Sequence, residues 1–198
     1  MPEYHTGTVR RFAPAVVLLG VLLAGCTTSD PSAYVKADVD AASGSEANID
    51  SLTAVIQRNP SDANGYNVRG TAYGKAGKLR EATADFDKAI SLNPNFYQAY
   101  ANRALVQRRQ GRDDLALADY NLSLQINPSY DVAYIGRGNL YRQSKQPTLA
   151  LADFNQAIAL RTSDPRAYHN RALLYQANGQ QQLAIDDFSK AIAMSPSN

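Results

Sequence analysis

The chain has little of the chemistry on which enzyme and metal sites are usually built. Its 198 residues include one cysteine and two histidines. A single cysteine excludes an internal disulfide framework, and two histidines leave little for a His/Cys metal cluster or a histidine-based acid–base pair. We therefore expect no metal ion, no cofactor and no enzymatic activity.

An excess of charge of one sign is also lacking. Twenty Lys and Arg side chains stand against eighteen Asp and Glu, which leaves a formal net charge of +2. The chain as a whole offers no excess positive field to a phosphate backbone, so a nucleic-acid partner is not expected. Hydrophobic residues make up 44% of the sequence and charged residues 19%, which excludes a disordered or collagen-like chain and fits one compact domain.

The apolar run near the N-terminus has the pattern of a signal peptide. Arg10 and Arg11 precede residues 12–25, an apolar run that contains Pro14 and leads directly to Cys26. In a helix this run spans about 21 Å, less than the roughly 30 Å hydrocarbon core of a bilayer, so a permanent membrane span is the weaker interpretation. We therefore predict that residues 1–25 are a signal peptide.

The junction Leu23-Ala24-Gly25-Cys26 resembles the lipobox of bacterial lipoproteins. The resemblance implies that the Cys26 thiol is diacylated, that the peptide is cut before it, and that the new amine is acylated. Several acyl chains, at about 0.8 kcal/mol per buried methylene, would hold the protein firmly on a membrane. The alternative is an ordinary small buried cysteine. Thr27 after the cysteine implies sorting to the outer membrane, facing the periplasm, if the source is Gram-negative.

The segment after this cysteine has the composition of a linker. Residues 27–47 are rich in Ser, Ala and Asp, contain Pro31 and Gly44, and show no sustained apolar period. We therefore predict that residues 26–47 comprise the lipidated cysteine and a flexible tether.

Beyond the tether the sequence repeats with a period of 34 residues. A shift by 34 superimposes five columns: Tyr66, Tyr100, Tyr134 and Tyr168; Arg69, Arg103, Arg137 and Arg171; Ala82, Ala116, Ala150 and Ala184; Asp85, Asp119, Asp153 and Asp187; and Phe86, Tyr120, Phe154 and Phe188. Within each repeat the apolar residues recur at three- and four-residue steps, which predicts two amphipathic helices. Glycines at positions 77, 111 and 179 end the first helix, and Asn-Pro at 93–94 and 127–128 ends the second.

A 34-residue period with these residues resembles the tetratricopeptide repeat (TPR) family. The resemblance implies an all-α fold, a right-handed superhelix of antiparallel helix pairs whose stacking leaves a concave surface. Four repeats are predicted at residues 63–96, 97–130, 131–164 and 165–198. Residues 48–62 match the second helix of a repeat, because Leu52 falls on Phe86 and Pro60 on Pro94, so a half-repeat opens the stack.

The last predicted helix leaves an apolar face around Leu183, Phe188 and Ile192. In a repeat array such a face is covered by the next helix. Either the chain continues beyond Asn198, or this face binds something, and self-association is the simplest version of the second alternative.

The Arg and Asp columns lie sixteen residues apart, on the two helices of each predicted hairpin. They can pair across it. Because the pair recurs in every repeat, we predict a structural ladder rather than a ligand site, with ligand contact as the alternative.

In this family the first helices line the concave groove, and the resemblance places the candidate binding residues there. They are Asn67, Lys75, Asn102, Arg108, Arg109, Asn139, Arg142 and His169. Amides and a basic strip suit an extended peptide with acidic side chains, and a solvated charged face is the alternative. Of the carboxylate clamp in chaperone-tail-binding TPR modules, Asn102 matches, but Val132 and Gly136 replace the cations, so that clamp is not expected. His169 has no second ligand at helical spacing, and we assign it to packing or solvent.

The sequence therefore predicts a non-enzymatic, lipid-anchored scaffold or adaptor of the bacterial cell envelope, which binds partner proteins or peptides in its groove. The alternative is a self-associating structural lipoprotein, or an assembly lipoprotein for pili or secretion, that acts through its C-terminal face. An enzymatic function would require a catalytic domain beyond Asn198.

Overall fold

The computed structural model describes residues 44–195, together with Met1 and Glu3. The rest of the predicted signal peptide, Cys26 and most of the predicted tether lie outside the described residues. Over residues 44–195 the chain forms nine α-helices and no strand, as the sequence predicts. The helices are α1 (Glu46–Arg58), α2 (Ala63–Lys75), α3 (Leu79–Leu92), α4 (Tyr97–Arg109), α5 (Asp113–Ile126), α6 (Asp131–Gln143), α7 (Pro147–Ala159), α8 (Arg166–Ala177) and α9 (Gln181–Met194).

The ends of the helices follow from local side-chain and backbone chemistry. Helix α1 begins at Glu46 because the Ser45 side chain accepts a hydrogen bond from the backbone N–H of Asn48 at 3.2 Å. Gly77 adopts a φ of 76° after α2, in the left-handed region that glycine enters without steric cost. Lys145 takes the same turn at φ 57° after α6, where the glycine column is broken, at a cost of roughly 1–2 kcal/mol.

Each first helix packs against the second helix of its own repeat and against the second helix before it. Helix α1, the predicted half-repeat, packs on α2 in the same manner, with Ile49 and Ile56 buried. The small residues of the alanine column are all buried, which lets the two helices of a hairpin approach closely. Phe86, Tyr120 and Phe154 fill the space between neighbouring hairpins and are 2% exposed or less.

The stack curves because its two sides are packed differently. Helices α2, α4, α6 and α8 contact one another in succession, whereas within residues 44–195 the helices α1, α3, α5, α7 and α9 make no comparable contacts among themselves. The first set therefore lies at the smaller radius. We call α2, α4, α6 and α8 the inner helices and the others the outer helices, and the surface along the inner helices the groove.

Candidate protein-binding groove

Each arginine of the ladder is held by the aspartate of its own repeat. The guanidinium donates from Nε and Nη2 to the two carboxylate oxygens, over distances of 2.7 to 2.9 Å. The pairs are Arg69 with Asp85, Arg103 with Asp119, Arg137 with Asp153, and Arg171 with Asp187. This two-pronged geometry is the strongest that an arginine and a carboxylate form, and it joins the inner and outer helix of one hairpin.

The same arginines also join each hairpin to the outer helix before it. Their Nη1 atoms donate to a second polar column, again sixteen residues earlier in the chain, at 2.6 to 3.1 Å. The acceptors are Thr53, Asp87, Asn121 and Asn155. Sequence reasoning missed this column, although its members also lie 34 residues apart. Every ladder arginine thus connects three helices.

Tyrosines complete the environment of the ladder. Arg69, Arg137 and Arg171 each lie over two tyrosine rings, with guanidinium-to-centroid distances of 5.6 to 5.9 Å. Arg103 lies over Tyr100 alone at 5.6 Å, because Gln107 stands where the other repeats have the second tyrosine. Gln107 is buried, and its Oε1 has no hydrogen-bond partner.

The positive charges of the ladder arginines are already paired within the fold. The hydrogen bond to the partner aspartate raises the pKa of each of the four arginines, and burial opposes this effect only in part. Each of the three guanidinium nitrogens already donates to a side-chain acceptor, so these arginines have little capacity left for a ligand. The ladder is therefore architecture that fixes the shape of the groove.

Two predicted groove residues contact each other at the N-terminal end. Asn102 Nδ2 on α4 donates to Asn67 Oδ1 on α2 at 3.0 Å. Beside them, Lys75, Asn102 and Arg109 line a pocket of about 140 Å³ between the two inner helices. Its walls combine two cations and an amide with apolar side chains, Phe86 among them. This arrangement can hold a short polar or acidic side chain.

The predicted basic residues differ in how far the fold has already engaged them. Arg109 Nη1 donates to the Gly74 carbonyl at 2.5 Å, which ties α4 to the last turn of α2. Arg108 and Arg142 occupy equivalent positions on α4 and α6 and are half-buried. Arg142 Nε is buried and has no hydrogen-bond partner. Arg108 and Arg142 are therefore the cations best placed for a ligand, and Asn139 is half-buried on the same inner helix as Arg142.

His169 lies at the C-terminal end of the groove rather than with the other candidates. Its ring packs edge-on against Phe188, with the centroids 5.4 Å apart. Both residues line a mainly apolar depression of about 460 Å³ together with Ile192. Ile192 is 71% exposed and Leu183 45%, so the predicted apolar C-terminal face is present on α9.

One further groove residue was not found from the sequence. Tyr120 belongs to the phenylalanine column, and its ring is buried like the others. Burial raises the pKa of its hydroxyl to about 12, while the positive charges of Arg108 and Arg166 act in the opposite direction. The signal in the sequence is the tyrosine itself, since it adds an oxygen where the column otherwise has phenylalanine.

Neither a metal site nor a membrane-spanning helix is found in the part of the chain that the structure describes. No group of three His, Cys, Asp or Glu side chains there could hold a metal ion. No helix there has the length and apolar character needed to cross a bilayer.

Comparisons with known proteins agree with this architecture. Tetratricopeptide repeat models match residues 67–131 and 165–198, and a further TPR repeat model matches residues 138–179. A search of curated proteins gives no significant match.

Solved structures with a similar fold are TPR proteins. A thermophilic TPR protein of Thermus thermophilus is 21% identical, with a TM-score of 0.70 over 85% of this chain and 89% of that chain. MamA of Desulfovibrio magneticus is 18% identical, with a TM-score of 0.63 over 84% and 94% of the two chains. YrrB, described as a TPR protein with an unusual peptide-binding site, is 22% identical, with a TM-score of 0.60 over 73% and 75%.

At these identities the similarity of structure shows the fold alone. The repeat models and the 34-residue columns add the sequence evidence. TPR proteins are generally non-enzymatic, and the fold suggests a scaffold for protein–protein interactions. Because the repeat models, the helix pairs and the similar structures all agree, the chain belongs to the tetratricopeptide repeat family.

Proposed function

We propose that the protein is a non-enzymatic scaffold that binds a partner protein or an extended peptide segment in its groove. The main observation behind this proposal is that the arginines fall into two groups, one bound within the fold and one facing the groove. The ladder arginines are bound on all sides by the fold, whereas Arg108 and Arg142 lie on the groove without a carboxylate partner among the described residues. Cations beside side-chain amides suit a peptide whose backbone needs amide partners and whose side chains are acidic.

The mechanism is geometric. The ladder ties each repeat to the one before it, so the groove has its shape before a partner arrives. A preorganised surface loses less conformational entropy on binding than a flexible one, which favours affinity. The resemblance of residues 23–26 to a lipobox supports anchoring of this scaffold to the bacterial cell envelope through Cys26.

Charge reversal in the groove tests the binding function. We expect Arg108→Glu with Arg142→Glu to lose a partner that the wild type captures from an envelope extract by crosslinking. Arg80→Glu with Lys88→Glu is the matched control, because it changes the net charge equally at exposed positions of the outer helix α3. The partner should then bind the wild type and the control as a purified protein. Equal recovery by all three chains would contradict the groove as the binding surface.

The anchor is tested separately. Cys26→Ser should move the protein from the membrane fraction to the soluble fraction and remove the mass of the acyl chains. An unchanged membrane fraction together with an unchanged mass would exclude lipidation.

A second candidate function is self-association through the C-terminal face. The exposed Leu183 and Ile192 on α9, and the apolar depression that Ile192 lines, favour it. Leu183→Glu should then abolish oligomers in analytical ultracentrifugation, while the groove variant leaves them intact. A monomeric wild type would exclude this candidate.

A further inference from the structure

A gap in the polar lining of the groove is filled by a side chain from the outer layer. Asn102 and Asn170 occupy equivalent positions on α4 and α8, and the position between them on α6 is Gly136. A Cβ at Gly136 would lie 2.5 Å from Cε1, Cζ and Oη of Tyr120. The glycine is therefore what allows the Tyr120 ring to reach this point.

The Tyr120 hydroxyl stands where the neighbouring repeats carry an amide. Its distance from the missing Cβ is close to that at which an asparagine holds its own amide atoms. Asn102, one repeat earlier, uses this position to contact Asn67 in the groove. The Tyr120 ring is 2% exposed, yet its hydroxyl has no hydrogen-bond partner among the described residues. A donor fixed by a buried ring is thus available at the centre of the groove.

Two cations on different inner helices act electrostatically on this donor. Arg108 lies on α4 and Arg166 at the start of α8, and the charges of both act on the Tyr120 hydroxyl. Arg166 is paired with Asp164 at 2.5 Å and remains largely exposed, with 63% of its side chain accessible. Arg108 has no ion pair among the described residues. The local field therefore favours an anion that accepts a hydrogen bond and disfavours a cation.

We propose that the Tyr120 hydroxyl, in the positive field of Arg108 and Arg166, is the docking point for the carboxylate of an Asp or Glu side chain of an extended peptide in the groove. This inference rests on the proposed function, because it presupposes that a peptide lies along the inner helices. A carboxylate accepts a charge-assisted hydrogen bond from the hydroxyl and neutralises part of the cationic field. The asparagines on either side can bind the peptide backbone.

Selection from a random dodecapeptide library tests the site with a defined probe. The full-length chain, purified in detergent, and its Tyr120→Phe variant are used in parallel. The variant places at position 120 the residue that the other three repeats carry at Phe86, Phe154 and Phe188, so it should keep the fold. We expect the wild type to enrich peptides with Asp or Glu at one fixed position, and the variant to lose that enrichment.

The affinity of one selected peptide is then compared with that of its amide counterpart, in which the fixed Asp or Glu is replaced by Asn or Gln. Tyr120→Phe should weaken the acidic peptide about tenfold, or about 1.4 kcal/mol, and change the amide peptide little. Arg108→Gln is a second variant that leaves the core intact, and it should weaken the acidic peptide and reduce the salt dependence of binding.

The outcomes separate this inference from the function on which it rests. If no peptide is selected, both the groove function and the docking site are refuted. If peptides are selected without an acidic preference, or if Tyr120→Phe and Arg108→Gln bind them as the wild type does, the groove function stands and the docking site is refuted.

Discussion

Removal of one carboxylate from the middle of the ladder tests whether the ladder holds the solenoid together. Asp153 is the best choice because its repeat has neighbours on both sides and its side chain is 7% exposed. It accepts two hydrogen bonds from Arg137, at 2.9 and 2.7 Å. Asp153→Ala leaves the guanidinium of Arg137 with Asn121 as its side-chain acceptor.

The size of the effect follows from the burial of the partner that remains. Leaving a fully buried charge without its partner costs about 3–5 kcal/mol. The Arg137 side chain is 20% exposed, so water can solvate part of the guanidinium, and we expect the free energy of unfolding to fall by about 3 kcal/mol. For a domain of this size each kcal/mol lowers the Tm by about 2–4 °C, so the Tm should fall by about 6–12 °C.

A double-mutant cycle shows whether this loss belongs to the pair. Arg137→Met alone leaves the Asp153 carboxylate buried without its main donor. Arg137→Met with Asp153→Leu replaces both charges by apolar side chains, which costs little when a buried ion pair is exchanged as a whole. Asp153→Leu alone completes the cycle, and the double variant should lose at least about 2 kcal/mol less than the sum of Arg137→Met and Asp153→Leu.

Urea unfolding followed by far-ultraviolet circular dichroism measures Asp153→Ala and the three variants of the cycle. Asp186→Ala is the matched control, because Asp186 is exposed and accepts one hydrogen bond, from Gln182. It should change stability by less than about 0.5 kcal/mol. The reasoning fails if Asp153→Ala costs under about 1 kcal/mol, the range of an exposed ion pair, or if the single losses simply add.

Three further predictions concern single positions. Gln107→Tyr should raise the free energy of unfolding by about 1 kcal/mol in thermal melts, because it removes a buried unpaired acceptor and places a second ring over Arg103. A lower free energy of unfolding would show that the site lacks room for the ring. In an alkaline titration followed by tyrosine absorbance, the difference between the curves of the wild type and Tyr120→Phe should show one phenol with a pKa of about 12. Because folding raises this pKa above 10.0, the free energy of unfolding falls by up to about 2–3 kcal/mol as the pH rises from 10 to 12, and Tyr120→Phe should not show this loss. Gly77→Ala should lower the Tm, since alanine at φ 76° costs about 1 kcal/mol, and an unchanged Tm would contradict the left-handed turn.

The fold could be predicted from the sequence because the same residue pattern occurs in each repeat. A single amphipathic helix is a weak signal, but Tyr66 and Ala82 recur at the same spacing in every repeat, and the position of Phe86 is aromatic each time. The spacing of Arg and Asp placed both residues across one hairpin, and the structure brings each pair within hydrogen-bond distance. The Arg–Asp pair is a contact within one hairpin, and its sixteen-residue spacing was enough to predict it.

Contacts between repeats could not be predicted in this way. The acceptor of Arg137 on the preceding outer helix, Asn121, depends on the rotation from one hairpin to the next, and the period does not contain that angle. The same holds for Tyr120 and Gly136, which meet across two repeats. Read within one repeat, a tyrosine in a phenylalanine column indicates only that the position is large and buried.

The lining of the groove differs from the ladder in how much it varies between repeats. The ladder keeps the same arginine and aspartate throughout, and its geometry is the same in each hairpin. The groove does the opposite, since the position shared by Asn102 and Gly136 differs from one repeat to the next. A constant frame with a varied lining gives a rigid surface on which each repeat presents different chemistry. A peptide in such a groove would be read residue by residue, with its acidic position fixed where Tyr120 supplies the donor.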